Sequence, residues 1–199
     1  MSVDVNSYYF LPLLLVVLLV VWLLYRRSQR RPRTVEQVIK TISFDYLSNI
    51  IVPNADEGEI HLDHLLLTAE GLLIIDVKEV EGVVFGSDKM QDWTVIAKDR
   101  RYTFSNPHPG LLDRIAAVRQ IVRQVPVTGR ILFLDGAEFT KGRPDLAASL
   151  DDLLDEFGEA DELSATAKID AFKPHWDSLR EMSRTPEESS SRLRRPTTV

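Results

Sequence analysis

The chain opens on an unbroken apolar run at residues 8–25, YYFLPLLLVVLLVVWLLY, 18 positions without a charge. Eighteen helical residues are about the minimum that spans a bilayer. Tyr8, Tyr9 and Phe10 stand at one end and Trp22 and Tyr25 at the other, as an interfacial belt would. After Pro32 the apolar positions fall at helical spacing. Val35, Val38, Ile39 and Ile42, continued by Phe44 and Tyr46, predict an amphipathic helix over 34–47. Thr34 suits its N-cap and Glu36 its first turn. A short strand is expected at 48–52 and a loop at 53–58. Residues 59–82, EIHLDHLLLTAEGLLIIDVKEVEG, then read as two apolar strands joined by a tight turn.

Further short strands are expected at 83–86, 93–96 and 100–104, completing a meander. The run 105–110 holds two prolines and a glycine and reads as a break. A helix over 111–125 places Leu111, Leu112, Ile115, Val118, Ile121, Val122 and Val125 on one face, and Arg114, Arg119 and Arg123 elsewhere as a solvated surface. The apolar run to Leu134 fits a buried strand, and strand–helix–strand order points to parallel pairing. An acidic helix over 146–163 and a last helix over 168–182 follow. From Ser183 the chain is nearly devoid of apolar residues and is expected to be disordered.

Charge fixes an orientation for the first segment. Arg26, Arg27, Arg30, Arg31 and Arg33 follow the apolar run, while acidic Asp4 precedes it. A signal peptide has the opposite order. The positive-inside rule therefore predicts a single-pass anchor in the cytoplasmic membrane, with the amino terminus outside and the rest in the cytoplasm. The arginines of 26–33 also suit contact with anionic lipid head groups. Residues 34–199 carry 19 basic and 29 acidic side chains, a net of −10. That balance argues against high non-specific affinity for nucleic acid without excluding a local basic groove. There is no cysteine, which removes disulfides, thiolate metal sites and cysteine nucleophiles from consideration.

The candidate chemistry lies in the hairpin. Alternation puts Asp76 and Lys78 on one strand face. If Ala69-Glu70 is a two-residue turn, Asp63 stands directly across from Asp76, with Lys78 on the diagonal of the same face. A three-residue loop would break that parity. Two carboxylates are hard ligands suited to Mg²⁺, which takes one or two carboxylates along with water and phosphate oxygens. A lysine beside them would orient water or stabilise charge on a phosphate. These are parts of metal-assisted phosphodiester hydrolysis. The plainer reading is that Asp76 and Lys78 simply pair with each other.

The ordered series Ile60-His61-Leu62-Asp63-His64, Ile74-Ile75-Asp76-Val77-Lys78, Glu81-Gly82, Trp93 and Asn106-Pro107 resembles the NERD (nuclease-related domain) family over about residues 34–135. The resemblance implies an α/β fold of the restriction-endonuclease-like kind, a mixed sheet flanked by helices. It implies Asp63 and Asp76 as metal ligands, Lys78 as the catalytic lysine, and Glu36 as the helix glutamate that completes the catalytic and metal set. The implied cofactor is Mg²⁺, with Mn²⁺ as the alternative, and the implied activity is cleavage of DNA. The sequence departs from the family pattern in two places. Val35 stands where a glycine often precedes the helix glutamate, and Gly110 stands where a glutamine commonly follows the asparagine–proline pair. His64, on the opposite face from Asp63, reads as structural. His61 reads as a solvated neighbour or a ligand, and Asn106 as a helix cap. The expected organisation is a short amino terminus (1–7), a transmembrane helix (8–25), a basic linker (26–33), a NERD-like domain (34–135), a helical acidic extension (136–182) and a disordered tail (183–199). The rival function is an inactive nuclease-fold module that binds nucleic acid or a protein beside the membrane.

Overall fold

The computed structural model describes residues 34–53 and 58–186, together with Leu18. In chain order the elements are α1 (Val35–Ile42), β1 (Asp45–Pro53), β2 (Glu59–Thr68), β3 (Gly71–Lys78), β4 (Gly82–Phe85), β5 (Asp92–Ile96), β6 (Arg101–Ser105), α2 (Pro107–Ile121), β7 (Val127–Phe133), β8 (Ala137–Glu138), β9 (Ala147–Ala148), α3 (Leu150–Phe157) and α4 (Glu162–Met182). The expected span at 8–25 lies outside the described residues except for Leu18, which is helical and exposed. Among the described residues no helix is long and apolar enough to cross a membrane.

The central sheet runs β1-β2-β3-β7-β9. It is antiparallel from β1 to β3 and parallel from β3 through β7 to β9. One face is covered by α1 and α3 through Val38, Ile39, Ile42 and Leu153. The other face packs against α2, α4 and a second sheet through Leu111, Ile115, Trp176, Leu179 and Trp93. Burial on both faces explains why β3 is an unbroken apolar run up to Asp76. The fold is thus a mixed α/β arrangement, with mixed sheets flanked by helices, as expected.

The second sheet was not expected as a separate layer. The meander β4–β5–β6 forms it, with β8 pairing parallel to β4. β7 accordingly pairs in parallel with β3, across the whole meander and α2, rather than with the strand just before the helix.

Several boundaries move for local physical reasons. The helix expected to reach residue 47 ends at Ile42, because Asp45–Pro53 is recruited as β1 against β2. Helix α2 begins at Pro107 rather than 111. Prolines in a first turn lack only donors that would have no helical partner there. The acidic helix over 146–163 resolves into β9, α3 and the start of α4. The tail expected to be disordered from Ser183 is still engaged at Arg184, which exchanges both backbone hydrogen bonds with Ile51 on the outer edge of β1. Helix α4 is tied to the same strand by Asp45 Oδ2, which accepts from Trp176 Nε1 at 3.0 Å and from Arg180.

The hairpin has the two-residue turn on which the site inference depends. Thr68 pairs with Gly71, and the register continues through Leu67↔Leu72 to His64↔Ile75. Gly71 is held at φ +125°, and a Cβ there would lie 2.3 Å from the Pro126 carbonyl oxygen. That oxygen accepts from Leu72 N–H at 2.8 Å, so the approach cannot be relaxed without losing the link between the turn and the start of β7.

Candidate active site

Asp63 and Asp76 face each other at the next step of the register, but the ladder stops there. The Val77 N–H donates instead to Asp63 Oδ2 at 2.9 Å. Beyond this point β3 stays paired with β7 alone, through Asp76↔Ile131, Val77↔Leu132 and Lys78↔Phe133. On the other side, the pairing of β1 with β2 passes over Asn49 and Asp63. Asn49 adopts a left-handed conformation, φ 52°, which asparagine tolerates better than most residues. The inward faces also change parity across this row. Leu47, Leu65 and Leu67 pack in the same core cluster as Ile50, Val52 and Leu62. Both strands turn over together here, so simple alternation fails where Asp63 sits.

The structure gathers Asp63, Asp76 and Lys78. Lys78 Nζ lies 3.3 Å from Asp76 Oδ2, and the Asp76 side chain is 4% exposed. Arg114 Nη1 approaches the same oxygen at 3.7 Å. Burial is the largest influence on Asp76 and pushes its carboxyl above the ordinary 3.8. Lys78 and Arg114 pull it back down, while the adjoining Asp63 carboxylate adds to the rise by its charge and by hydrogen bonding. The two carboxyl groups form a donor set in which a divalent cation would favour the ionised form of Asp76. Among the described residues no group of three His, Cys, Asp or Glu side chains converges to hold an ion. Two carboxylates are nevertheless enough for Mg²⁺, which retains several waters.

Glu36 stands apart from this pair. It is an exposed residue whose carboxylate is 2.6 Å from Lys40 Nζ, one turn along α1. The lysine's hydrogen bond and charge lower the Glu36 pKa. Glu36 does share a cavity of about 620 Å³ with Asp63, Asn49, His64, Val77 and Glu79. Asp76 and Lys78 line a different cleft, of about 520 Å³, with Asn106, Gly110, Arg114 and again Val77 and Glu79. The end of β3 is the ridge between the two.

The histidines have different partners, and His64, expected on the opposite face from Asp63, lines the same cavity as Asp63 because alternation fails at this row. His64 Nδ1 is 2.8 Å from Ser48 Oγ, and burial holds its pKa below 6.5 against the pull of Asp63. His61 contacts Asp63 Oδ1 through Nδ1 at 3.5 Å, while its Nε2 lies 2.7 Å from Asn49 Oδ1. Asn106 caps α2, accepting from His108 N–H at 2.9 Å and donating to the Asp88 and Met90 carbonyls.

Three residues were missed or misjudged from sequence. Arg114 does not belong to a solvated face. Its Nε donates to the His61 carbonyl at 2.9 Å, and its position four residues after Gly110 put both on one side of α2. Arg119, also expected in solvent, donates to the Val127 carbonyl at 2.7 Å. Glu79 lies on the ridge shared by both cavities. Nothing in the hydrophobic pattern marks it.

The family model for the nuclease-related domain, NERD, matches residues 29–134, slightly more than half of the chain. The chain belongs to the NERD family. An uncharacterized protein of Bacillus anthracis is 26% identical to it over 82 residues, 41% of this chain and 39% of that protein. The match thus spans about two-fifths of that relative's length. No solved structure matches the chain. The NERD match takes in α1, the hairpin, the whole meander, α2 and β7, so every site residue discussed above lies inside it.

The direction of the Asp76 shift yields a test of burial at this site. A carboxyl whose folded pKa is raised subtracts stability once it is ionised, and subtracts nothing below 3.8, where it is neutral folded or unfolded. Asp76→Asn should therefore melt higher than the native chain at neutral pH in chelator. The gap should close as the pH falls toward 3.8. A gap independent of pH across thermal melts would refute the assignment of a buried, reluctantly ionised Asp76.

Proposed function

We propose that this protein is a membrane-anchored nuclease whose cytoplasmic NERD domain, of restriction-endonuclease-like fold, hydrolyses phosphodiester bonds in DNA with Mg²⁺. The observation that carries this reading is the meeting of Asp63, Asp76 and Lys78 at the end of β3, between two cavities, with Asp76 buried and its carboxyl shifted upward. A structural ion pair alone needs no second carboxylate and no opened ladder.

In this reading Asp63 and Asp76 would hold the cation, and Glu36, which lines the same cavity as Asp63, would complete the set. When bound, the ion would supply Lewis-acid polarisation of a phosphate oxygen and a more acidic water. Lys78 places an ammonium beside the reacting phosphate, where charge develops. The Val77 N–H fixes the Asp63 carboxylate, and His61, itself oriented by Asn49, braces its other oxygen. The apolar run at 8–25 and the arginines of 26–33 supply the anchor, with the domain on the cytoplasmic side.

The full chain in detergent, incubated with DNA, should cleave it with Mg²⁺ or Mn²⁺ and not with chelator. Cleavage that is indifferent to chelator would reject the metal assignment. Binding without cleavage under all these conditions would replace the nuclease with the nucleic-acid-binding module.

A further inference from the structure

The cleft beside Asp76 holds a second cation whose position depends on a missing side chain. Gly110 and Arg114 are one turn apart on α2 and line the same cleft as Lys78. A Cβ at residue 110 would lie 3.0 Å from Arg114 Nη1. The guanidinium therefore occupies the space that a longer side chain at 110 would need. It is held there at one corner, by the 2.9 Å bond from Nε to the His61 carbonyl. Its contact with Asp76 is loose, at 3.7 Å, and falls on an oxygen already claimed by Lys78 at 3.3 Å.

A guanidinium has five donors in a rigid fork. Among the described residues, Arg114 directs one of them to a hydrogen bond, and the outer side of the fork has only the loose 3.7 Å ionic contact of Nη1 with Asp76. Its side chain is 26% exposed, so that side is reachable from the cleft. The amino-terminal end of the fifteen-residue α2 borders the same space and adds positive potential. A fork anchored through Nε with its outer nitrogens open is the arrangement that grips two oxygens of one phosphate.

We propose that Arg114 is a substrate-binding residue that takes a phosphate of the nucleic-acid backbone in the Lys78 cleft, in the room left by Gly110. This rests on the nuclease reading above and gives the site its phosphate clamp. Lys78 acts as a point charge at the reacting group, and Arg114 provides two-pronged positioning.

The test is binding of a fluorescently labelled DNA duplex to the full chain in detergent, with Ca²⁺ present, over a series of KCl concentrations. Each phosphate contact contributes about 0.9 to the slope of log affinity against log salt. Arg114→Gln should weaken binding about tenfold and lower that slope by about 0.9. Arg114→Lys keeps the charge, and so should keep the slope while binding several-fold more weakly through loss of the fork. A purely structural arginine would lower the melting temperature and leave the slope alone. Native affinity and slope in both variants would overturn the proposal while leaving the nuclease reading intact. A native chain that binds no DNA at any salt concentration would overturn both.

Discussion

Replacing Lys78 with alanine is expected to lower DNA cleavage by the full chain about 10²- to 10³-fold, the range seen when one preorganised charge-stabilising donor is removed. The loss should fall on kcat, with KM little changed, because an ammonium acting on developing charge contributes mainly in the transition state. Lys78 is 31% exposed and rooted at the last residue of β3, paired in register with Phe133, so its ammonium reaches the cleft from a rigid base. Arginine at the same position should rescue poorly, since a planar fork does not reproduce a compact charge 3.3 Å from Asp76. Cleavage within a few-fold of native in Lys78→Ala would return Lys78 to the plainer role of balancing Asp76.

The second large effect concerns the fold beneath the site. Trp93 is fully buried, stacks on Phe133 at 5.9 Å and meets Phe104, His108 and Phe139 edge-on. It joins the second sheet to β7 of the central sheet and to the start of α2. Its indole N–H is satisfied by the Ser87 carbonyl at 3.2 Å. Truncation to alanine removes this packing and leaves a cavity, which should destabilise the chain by about 3–5 kcal/mol. For a domain of this size that is a fall in melting temperature of roughly 10 °C. Phe133 is the neighbour of Lys78 across β3 and β7, so residual folded Trp93→Ala should also cleave more slowly. A melting temperature within about 2 °C of native would show that the two sheets do not depend on this ring.

The parts of the fold legible in the sequence are those set by local chemistry. The hairpin register followed from a two-residue turn, and the meander from short alternating strands between breakers. The α2 cap followed from Asn106 standing before Pro107. The parts that were not legible depend on distant partners. Tyr46 satisfies a helical period as well as a strand, and only pairing with β2 decides between them, with Phe44 N–H already donating to the Leu67 carbonyl just before β1. β8 and β9 are two residues each, too short to carry a period, and exist because β4 and β7 offer them edges. At the site, Asp63, Asp76 and Lys78 were readable because their spacing survives in any hairpin of that register. Arg114 was not, since its place is set by the emptiness at Gly110 and by a carbonyl 53 residues away. Asn49 could have been suspected as an asparagine within an apolar strand, where a left-handed residue breaks alternation.

The gap in the sheet at Asn49 and Asp63 also separates the fate of the chemistry from the fate of the fold. Asp63 contributes no rung to either ladder, and its carboxylate is tied to the scaffold by the bond from Val77 N–H and by its side-chain contacts with His61 and Asp76. A lineage that loses this carboxylate gives up the proposed metal set and little of the framework, whose core lies in the apolar residues on either side. Activity in such a fold is cheap to discard and requires few positions to restore.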